Sequence, residues 1–169
     1  MKETKMFHTV VMDSPVGELC LIASDRGLRA ILWGAEDAAG LASINEGDIV
    51  EGPNGVLDQA VAELDEYFAG TRREFDIPLD PVGTPFQQSA WMVLRTIPYG
   101  CTMSYGEQAR RLGDPNKARA VGAANGRNPL SIVVPCHRVI GSTGHLTGFG
   151  GGLEAKSWLL DHERQQRLI

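Results

Sequence analysis

Cys136 and His137 stand side by side in Ile132-Val133-Val134-Pro135-Cys136-His137-Arg138-Val139-Ile140, a thiol and an imidazole enclosed by apolar runs. A nucleophilic thiol needs shelter, a fixed backbone and a proton acceptor, and this stretch offers all three. Pro135 fixes its own φ, and Val134, preceding a proline, is biased towards extended geometry, so the thiol is held on stiff chain. A free cysteine is only a few per cent thiolate at neutral pH, and an adjacent base raises its reactivity. On its own a Cys-His pair more often marks a buried, inert thiol beside a core imidazole. The elements around it decide.

Those elements fall into two parts. Residues 1–82 carry 6 Lys/Arg against 16 Asp/Glu, and residues 83–169 carry 10 against 5. The overall charge of −5 argues against a polyanionic partner, while the basic second part argues for one meeting a single face. The first part alternates short apolar runs with turn signals: His8–Met12, Glu18–Ser24 and Leu28–Trp33, separated by Asp13-Ser14-Pro15-Val16-Gly17 and Asp25-Arg26-Gly27. This predicts a three-stranded antiparallel meander. Glu36 to Gly55 has weak periodicity and reads as loop or poor helix. Val56, Leu57, Ala60, Val61, Leu64, Tyr67 and Phe68 form one helical stripe ending at Gly70, predicting a helix that covers the sheet. No catalytic constellation falls here, so residues 1–82 are expected to be a structural α/β domain.

Asp80-Pro81-Val82-Gly83 reads as the joint to a mainly helical domain, 83–169, giving an α/β (α+β) chain. Thr84-Pro85-Phe86-Gln87 is a capping box with proline at the first helical position, and Phe86, Ala90, Val93, Leu94 and Ile97 are the expected inward face. Ser104-x-x-Glu107 opens a second helix to Leu112. Gly113 turns, Asp114 caps, Pro115 follows, and a third helix runs to Asn125-Gly126. Helix, glycine turn, helix is the order of a helix-turn-helix. The third helix reads Lys117-Ala118-Arg119-Ala120-Val121-Gly122-Ala123-Ala124. Its small residues permit close approach to a groove, and Lys117 and Arg119 can meet phosphates or wedge the duplex. It lacks a repeated face of Asn, Gln or Arg for reading bases, so sequence-independent binding is expected.

Gly148-x-Gly150-x-x-Leu153 is not a phosphate loop, for it lacks the third glycine and a following Gly-Lys-Ser/Thr. It reads as a tight loop around a flat ligand, with Phe149 as apolar cover. Leu153–Leu168 predicts a closing amphipathic helix with Trp158, Leu159 and Leu160 inward. His162 and Glu163 lie on it, where either alone is ordinarily a solvated residue. Cys20, Cys101 and Cys136 are odd in number and widely spaced, which excludes a disulfide framework and a Cys-x-x-Cys metal knuckle. No run approaches a membrane span of about 18 residues. Met1–Lys5 shows no signal peptide, so the cytoplasm is the expected compartment.

These motifs resemble the O6-alkylguanine-DNA alkyltransferases, also called methylated-DNA–protein-cysteine methyltransferases, of the stand-alone bacterial type. The resemblance rests on Thr84-Pro85-Phe86-Gln87, Ile97-Pro98-Tyr99-Gly100, Ser104-Tyr105-Gly106, Ala118-Arg119-Ala120-Val121-Gly122, Asn128-Pro129, Pro135-Cys136-His137-Arg138-Val139-Ile140 and Gly150-Gly151-Gly152-Leu153. Before residue 84 it extends only to the element outline and Tyr67-Phe68-Ala69-Gly70.

It implies a ribonuclease H-like first domain and a winged-helix-like helix-turn-helix in the second. The implied activity is direct reversal of DNA damage: irreversible, single-turnover transfer of the alkyl group of O6-alkylguanine, and of O4-alkylthymine, to Cys136. His137 would take the thiol proton through a water, Glu163 would support the imidazole, Tyr105 would donate a proton to guanine, and Asn128 would brace the turn. Arg119 would replace the flipped nucleotide, with Lys117, Ala118, Ala120, Gly122 and Arg127 completing a minor-groove interface. Val139, Phe149, Gly150 and Ser131 would line the pocket. Phe149 stands where tyrosine is usual in the family, and Ser131 where some members have proline. The implied partner is double-stranded DNA carrying O6-alkylguanine. A monomer with no cofactor, no metal and no membrane contact is expected. A non-catalytic DNA-binding helix-turn-helix protein and a cysteine hydrolase remain as rivals; the first would survive loss of Cys136, and the second would turn over repeatedly.

Overall fold

The computed structural model describes residues 6–34, 44, 48–50, 52, 54–142, 144, 149 and 151–167. The chain divides into two compact units, 1–82 and 83–169.

In the first unit β1 (Phe7–Met12), β2 (Leu19–Ala23) and β3 (Leu28–Trp33) form the antiparallel meander, in register Val10↔Leu21 and Leu21↔Ile31. A fourth strand, β4 (Ile49–Val50), pairs parallel with β1, so the sheet order is β3-β2-β1-β4. This corrects the reading of Glu36–Gly55 as loop or poor helix at the described residues Ile49 and Val50. Two residues cannot establish a period, and only their partner strand reveals them. Phe7, Ile22, Ala30, Leu32 and Ile44 form one core layer. Helix α1 (Gly55–Phe68) packs against the three long strands through Leu57, Ala60, Leu64 and Tyr67. Burying Leu57 and Leu64 contributes on the order of 2 kcal/mol each. Asn54 Oδ1 accepts from Leu57 N at 3.0 Å and starts the helix. At Gly27 the chain passes so close to Pro78 that a Cβ would lie 2.5 Å from its carbonyl oxygen, so only glycine fits. Asp80 closes the unit, accepting from Arg29 at 3.0 Å and Ser24 at 2.6 Å.

In the second unit α2 (Pro85–Leu94) begins with both hydrogen bonds of the Thr84/Gln87 capping box. Its buried residues are Ala90, Trp91 and Leu94, whereas Phe86 and Val93 are only half-buried. Strand β5 (Met103–Ser104) leads into α3 (Tyr105–Arg111), where the Ser104 hydroxyl caps Glu107 N. The Glu107 carboxylate pairs with Arg110 and Arg111. After Gly113, a 3₁₀ turn at Pro115–Lys117 capped by Asp114 precedes α4 (Ala118–Gly126). Three buried contacts lock this corner. Gln108 Nε2 donates to Asn125 Oδ1 (2.9 Å), Asn125 Nδ2 donates back to Gln108 Oε1 (2.8 Å), and Trp91 Nε1 donates to Ala124 O (2.8 Å). β6 (Val139–Ile140) pairs parallel with β5, and α5 (Leu153–Arg167) follows. No described helix is long and apolar enough to cross a membrane.

Candidate active site

Cys136 sits in a 3₁₀ turn, Cys136–Arg138, closed by Arg138 N to Pro135 O at 3.1 Å. The thiol thus sits on a turn and not on an extended segment. Successive side chains on such a turn diverge by about 120°, so Cys136 and His137 still point apart. The turn reaches α5 through an ion-pair network. His137 Nε2 lies 2.6 Å from Glu163 Oε2, Arg138 Nε lies 2.8 Å from Oε1, and Arg138 Nη2 lies 3.1 Å from Oε2. Gly100 N also donates to Glu163 Oε1 at 3.2 Å, and Arg138 Nη1 donates to Ile97 O at 2.7 Å. His137 is 0% exposed and Glu163 1%. As a carboxylate Glu163 is expected at the surface; the buried partners His137 and Arg138 hold it in the interior.

An ionised carboxylate only accepts, so Nε2 of the neutral imidazole carries its proton and Nδ1 is the basic nitrogen. Nδ1 is buried with no hydrogen-bond partner among the described residues. Burial tends to raise the Glu163 carboxyl's pKa, but the charge and hydrogen bond of His137, together with Arg138, hold it well below the usual carboxylate range. Burial lowers the pKa of His137 against the pull of Glu163, with the Arg138 and Lys156 charges adding to the lowering.

Burial also pushes the Cys136 thiol above its ordinary value. Desolvation of the thiolate outweighs the groups favouring it. Those groups are the Asn128 side chain, the Lys156 charge, a backbone hydrogen bond and the Ser131 side chain. Asn128 does more than brace. Its Nδ2 donates to Val134 O at 2.8 Å and its Oδ1 accepts from Leu130 N at 2.9 Å, tying the end of α4 to the cysteine loop.

Lys156 escapes the sequence reading. Its side chain is fully buried, Nζ donates to Val139 O at 2.7 Å, and it lies 5.9 Å from the centroid of the Tyr105 ring. Burial lowers its pKa, opposed by Cys136. A usable signal exists: Lys156, Leu159, Leu160 and Glu163 share one helical stripe, so the lysine occupies an interior position. Trp158, expected inward, is half-buried and stacks on the His162 ring at 4.8 Å.

Lys117, Arg119, Ala120 and Arg127 are exposed on or beside α4, and Ala118 is half-buried. Gly122 faces α3, where a Cβ would stand 3.8 Å from the Tyr105 ring. Val139 is fully buried on β6, Ser131 is buried, and Phe149 is half-buried. Gly150 lies outside the described residues. Among the described residues no cluster of His, Cys, Asp or Glu could hold a metal.

Residues 6–81 match the family described as 6-O-methylguanine DNA methyltransferase, ribonuclease-like domain, and residues 85–165 match its DNA binding domain. A methylated-DNA–protein-cysteine methyltransferase of Mycobacterium leprae is 48% identical over 96% of each chain. A crystal structure of the Mycobacterium tuberculosis O6-methylguanine methyltransferase superposes with a TM-score of 0.84 at 45% identity, covering 95% of this chain and 94% of that one. A second structure of the M. tuberculosis protein, in complex with DNA, gives 0.83 at 45% identity with the same coverage. With both domain matches in order and this identity spanning nearly the whole chain, the protein belongs to the 6-O-methylguanine DNA methyltransferase family.

Proposed function

We propose that this protein repairs double-stranded DNA by taking the alkyl group of O6-alkylguanine, and of O4-alkylthymine, onto Cys136. The observation that carries the assignment of Cys136 is its position at a buried turn whose next two residues, His137 and Arg138, are both ion-paired to Glu163. The thiol proton passes to His137 Nδ1 through a bridging water, and Sγ attacks the alkyl carbon. The carbon–O6 bond breaks as the carbon–sulfur bond forms, and its electron pair leaves on the guanine. Tyr105, at the start of α3, donates the proton that neutralises the departing base, and the proton lost by the thiol replaces it. A thioether is not hydrolysed, so each molecule acts once. Neither rival function has an observation favouring it.

O6 is hidden in the stacked duplex, so the nucleotide must be flipped at a cost of a few kcal/mol. The exposed face of α4 suits the minor groove, with Ala120 allowing close approach, Lys117 and Arg127 meeting phosphates, and Arg119 filling the space left by the base. Gly122 adds to the small-residue character of this helix, although a Cβ there would meet the Tyr105 ring only at an ordinary contact distance of 3.8 Å. Val139, Ser131 and Phe149 line the pocket, and the family resemblance adds Gly150, which lies outside the described residues. Residues 83–169 thus bind DNA and carry the chemistry, residues 1–82 are structural, and the protein works as a cytoplasmic monomer. Intact mass and peptide mapping after incubation with duplex DNA containing O6-methylguanine test the reading. One methyl group on Cys136 is expected; methylation of Cys20 or Cys101 instead, or repeated turnover, overturns it.

A further inference from the structure

We infer that the buried amide pair Gln108–Asn125 is a positioning device for duplex repair: it fixes the register of α4 against α3, so that Arg119 is held where a flipped nucleotide must be replaced. This rests on the proposed reading of α4 as the DNA-binding helix.

The inner face of α4 has little shape of its own. Its buried residues are Val121, Ala124 and Asn125, with Ala118 half-buried. Packed helices keep their setting through side-chain ridges seated in grooves, and alanines make shallow ridges. Apolar contact of this kind is non-directional and tolerates sliding. Hydrogen bonds are directional, and here they supply what the side-chain shapes do not.

Gln108 is 0% exposed and Asn125 8%. Their amides face each other in a reciprocal pair, Gln108 Nε2 donating to Asn125 Oδ1 at 2.9 Å and Asn125 Nδ2 donating to Gln108 Oε1 at 2.8 Å. Gln108 Nε2 donates its other hydrogen to Ala90 O of α2 at 3.1 Å, so both amide hydrogens of the glutamine are used. Trp91 Nε1, also on α2, donates to Ala124 O at 2.8 Å. A slip of α4 by one residue would move it about 1.5 Å and turn it about 100°, breaking both halves of the pair at once. A buried amide left unpaired is costly, so one setting of the helix satisfies the pair and its neighbours do not.

The position of the pair connects it to function. Tyr105 and Gln108 are three apart on α3, and Gly122 and Asn125 are three apart on α4, so each couple shares a helix face. A Cβ at Gly122 would stand 3.8 Å from the Tyr105 ring, which makes Tyr105–Gly122 and Gln108–Asn125 successive rungs between the same two helices. Just beyond α4, Asn128 is bonded to Val134 O and Leu130 N of the cysteine loop. That end of the helix stays anchored when the amide pair is removed. The freedom appears instead towards Arg119, about 9 Å along the axis from Asn125. The loss therefore falls on duplex DNA, which needs Arg119, and spares a free base, which does not.

The test uses the whole chain carrying Gln108→Met/Asn125→Leu, which replaces both amides with apolar side chains of similar size. A second variant, Gln108→Asn/Asn125→Gln, exchanges the two amides and keeps their combined length. Single-turnover transfer is measured against the concentration of duplex containing O6-methylguanine, which separates the dissociation constant from the maximal rate. Transfer from free O6-benzylguanine and a thermal melt accompany it. Replacing both partners of a buried hydrogen bond is close to neutral, so the apolar variant should melt near the parent. Its duplex affinity, set mainly by phosphate contacts, should stay within about twofold. Its maximal rate on duplex should fall about tenfold, a loss that a misplacement of about 1 Å is enough to cause, while the free-base rate changes less than about twofold. The exchanged pair should recover most of the duplex rate. An apolar variant with the parent's maximal rate on duplex overturns the inference. So does one that fails to fold or slows equally on both substrates, because the pair is then structural support alone, and so does an exchanged pair no faster than the apolar one. A parent protein that takes no methyl group from the duplex onto Cys136 overturns the proposed function itself.

Discussion

Lys156→Met separates the electrostatics of the site from its packing. Methionine keeps an unbranched stem in the fully buried position and removes the ammonium beside Val139 O and the Tyr105 ring. The Lys156 charge favours the Cys136 thiolate. Between two neighbouring unit charges in a medium of effective permittivity near 20, an attraction of ~2 kcal/mol is a representative order of magnitude. At 1.36 kcal/mol per pKa unit, its loss lowers the thiolate population at neutral pH about thirtyfold.

The effect on stability has a different sign. A lysine whose folded pKa is lowered costs stability below that pKa, and the cost vanishes as pH rises to the unfolded value near 10.4. Replacing a buried charge with an apolar side chain is often neutral or stabilising, partly offset here by the lost bond to Val139 O. Lys156→Met should therefore melt at or near the parent temperature at pH 7 while reacting about thirtyfold more slowly. The assay is single-turnover transfer from free O6-benzylguanine across pH, with a thermal midpoint at each pH. The rate deficit should shrink at alkaline pH, where the thiol ionises without help. A deficit of equal size at every pH, or one that follows a fall in melting temperature, refutes the electrostatic role.

Arg119→Ala should slow repair of duplex DNA far more than reaction with free O6-benzylguanine, because only the duplex requires flipping; equal losses in parallel rate measurements would place Arg119 at the pocket instead. Glu163→Gln should slow transfer at neutral pH, with partial recovery at alkaline pH, and should lower stability by about 3–5 kcal/mol in denaturant titrations because it strands the buried Arg138. Adding Arg138→Met should restore much of that stability but not the neutral-pH rate; recovery of both would reduce Glu163 to a partner of Arg138.

The readability of the sequence followed the range of the forces involved. The meander and α1 are local patterns, with alternating apolar runs between turn residues and one helical stripe, and they are read directly. The helix starts at Thr84, Ser104 and Asp114 are likewise local, because each cap is a side chain bonded to backbone two or three residues ahead. Strand β4 is not local, since Ile49 becomes a strand residue only through Phe7, more than forty positions earlier. Cys136 and His137 stand out by their own chemistry and Glu163 through the family resemblance, but their protonation states are not legible either way. The direction of the Cys136 shift depends on how completely the turn is desolvated, a property of packing with no sequence signature. Lys156 is not legible because lysine is normally a surface residue.

The raised thiol and the lowered imidazole pKa together bear on a protein that acts once. At neutral pH both directions favour a neutral thiol beside a neutral histidine, since burial disfavours the thiolate and the imidazolium alike. A neutral buried thiol is a poor nucleophile towards passing electrophiles and oxidants, which protects an acceptor that cannot be regenerated. The groups that favour ionisation are nonetheless fixed in place: Asn128 just beyond α4, Ser131 on the cysteine loop and Lys156 from α5. What they require is that the proton move at the moment the sulfur attacks, when its charge is passing to carbon and then to the departing guanine. Transfer of charge out of the sulfur also relieves the desolvation that opposed ionisation, so the burial that quiets the free protein disfavours the thiolate more than the transition state. Low idle reactivity and rapid transfer to a seated base are thus compatible demands on one buried turn.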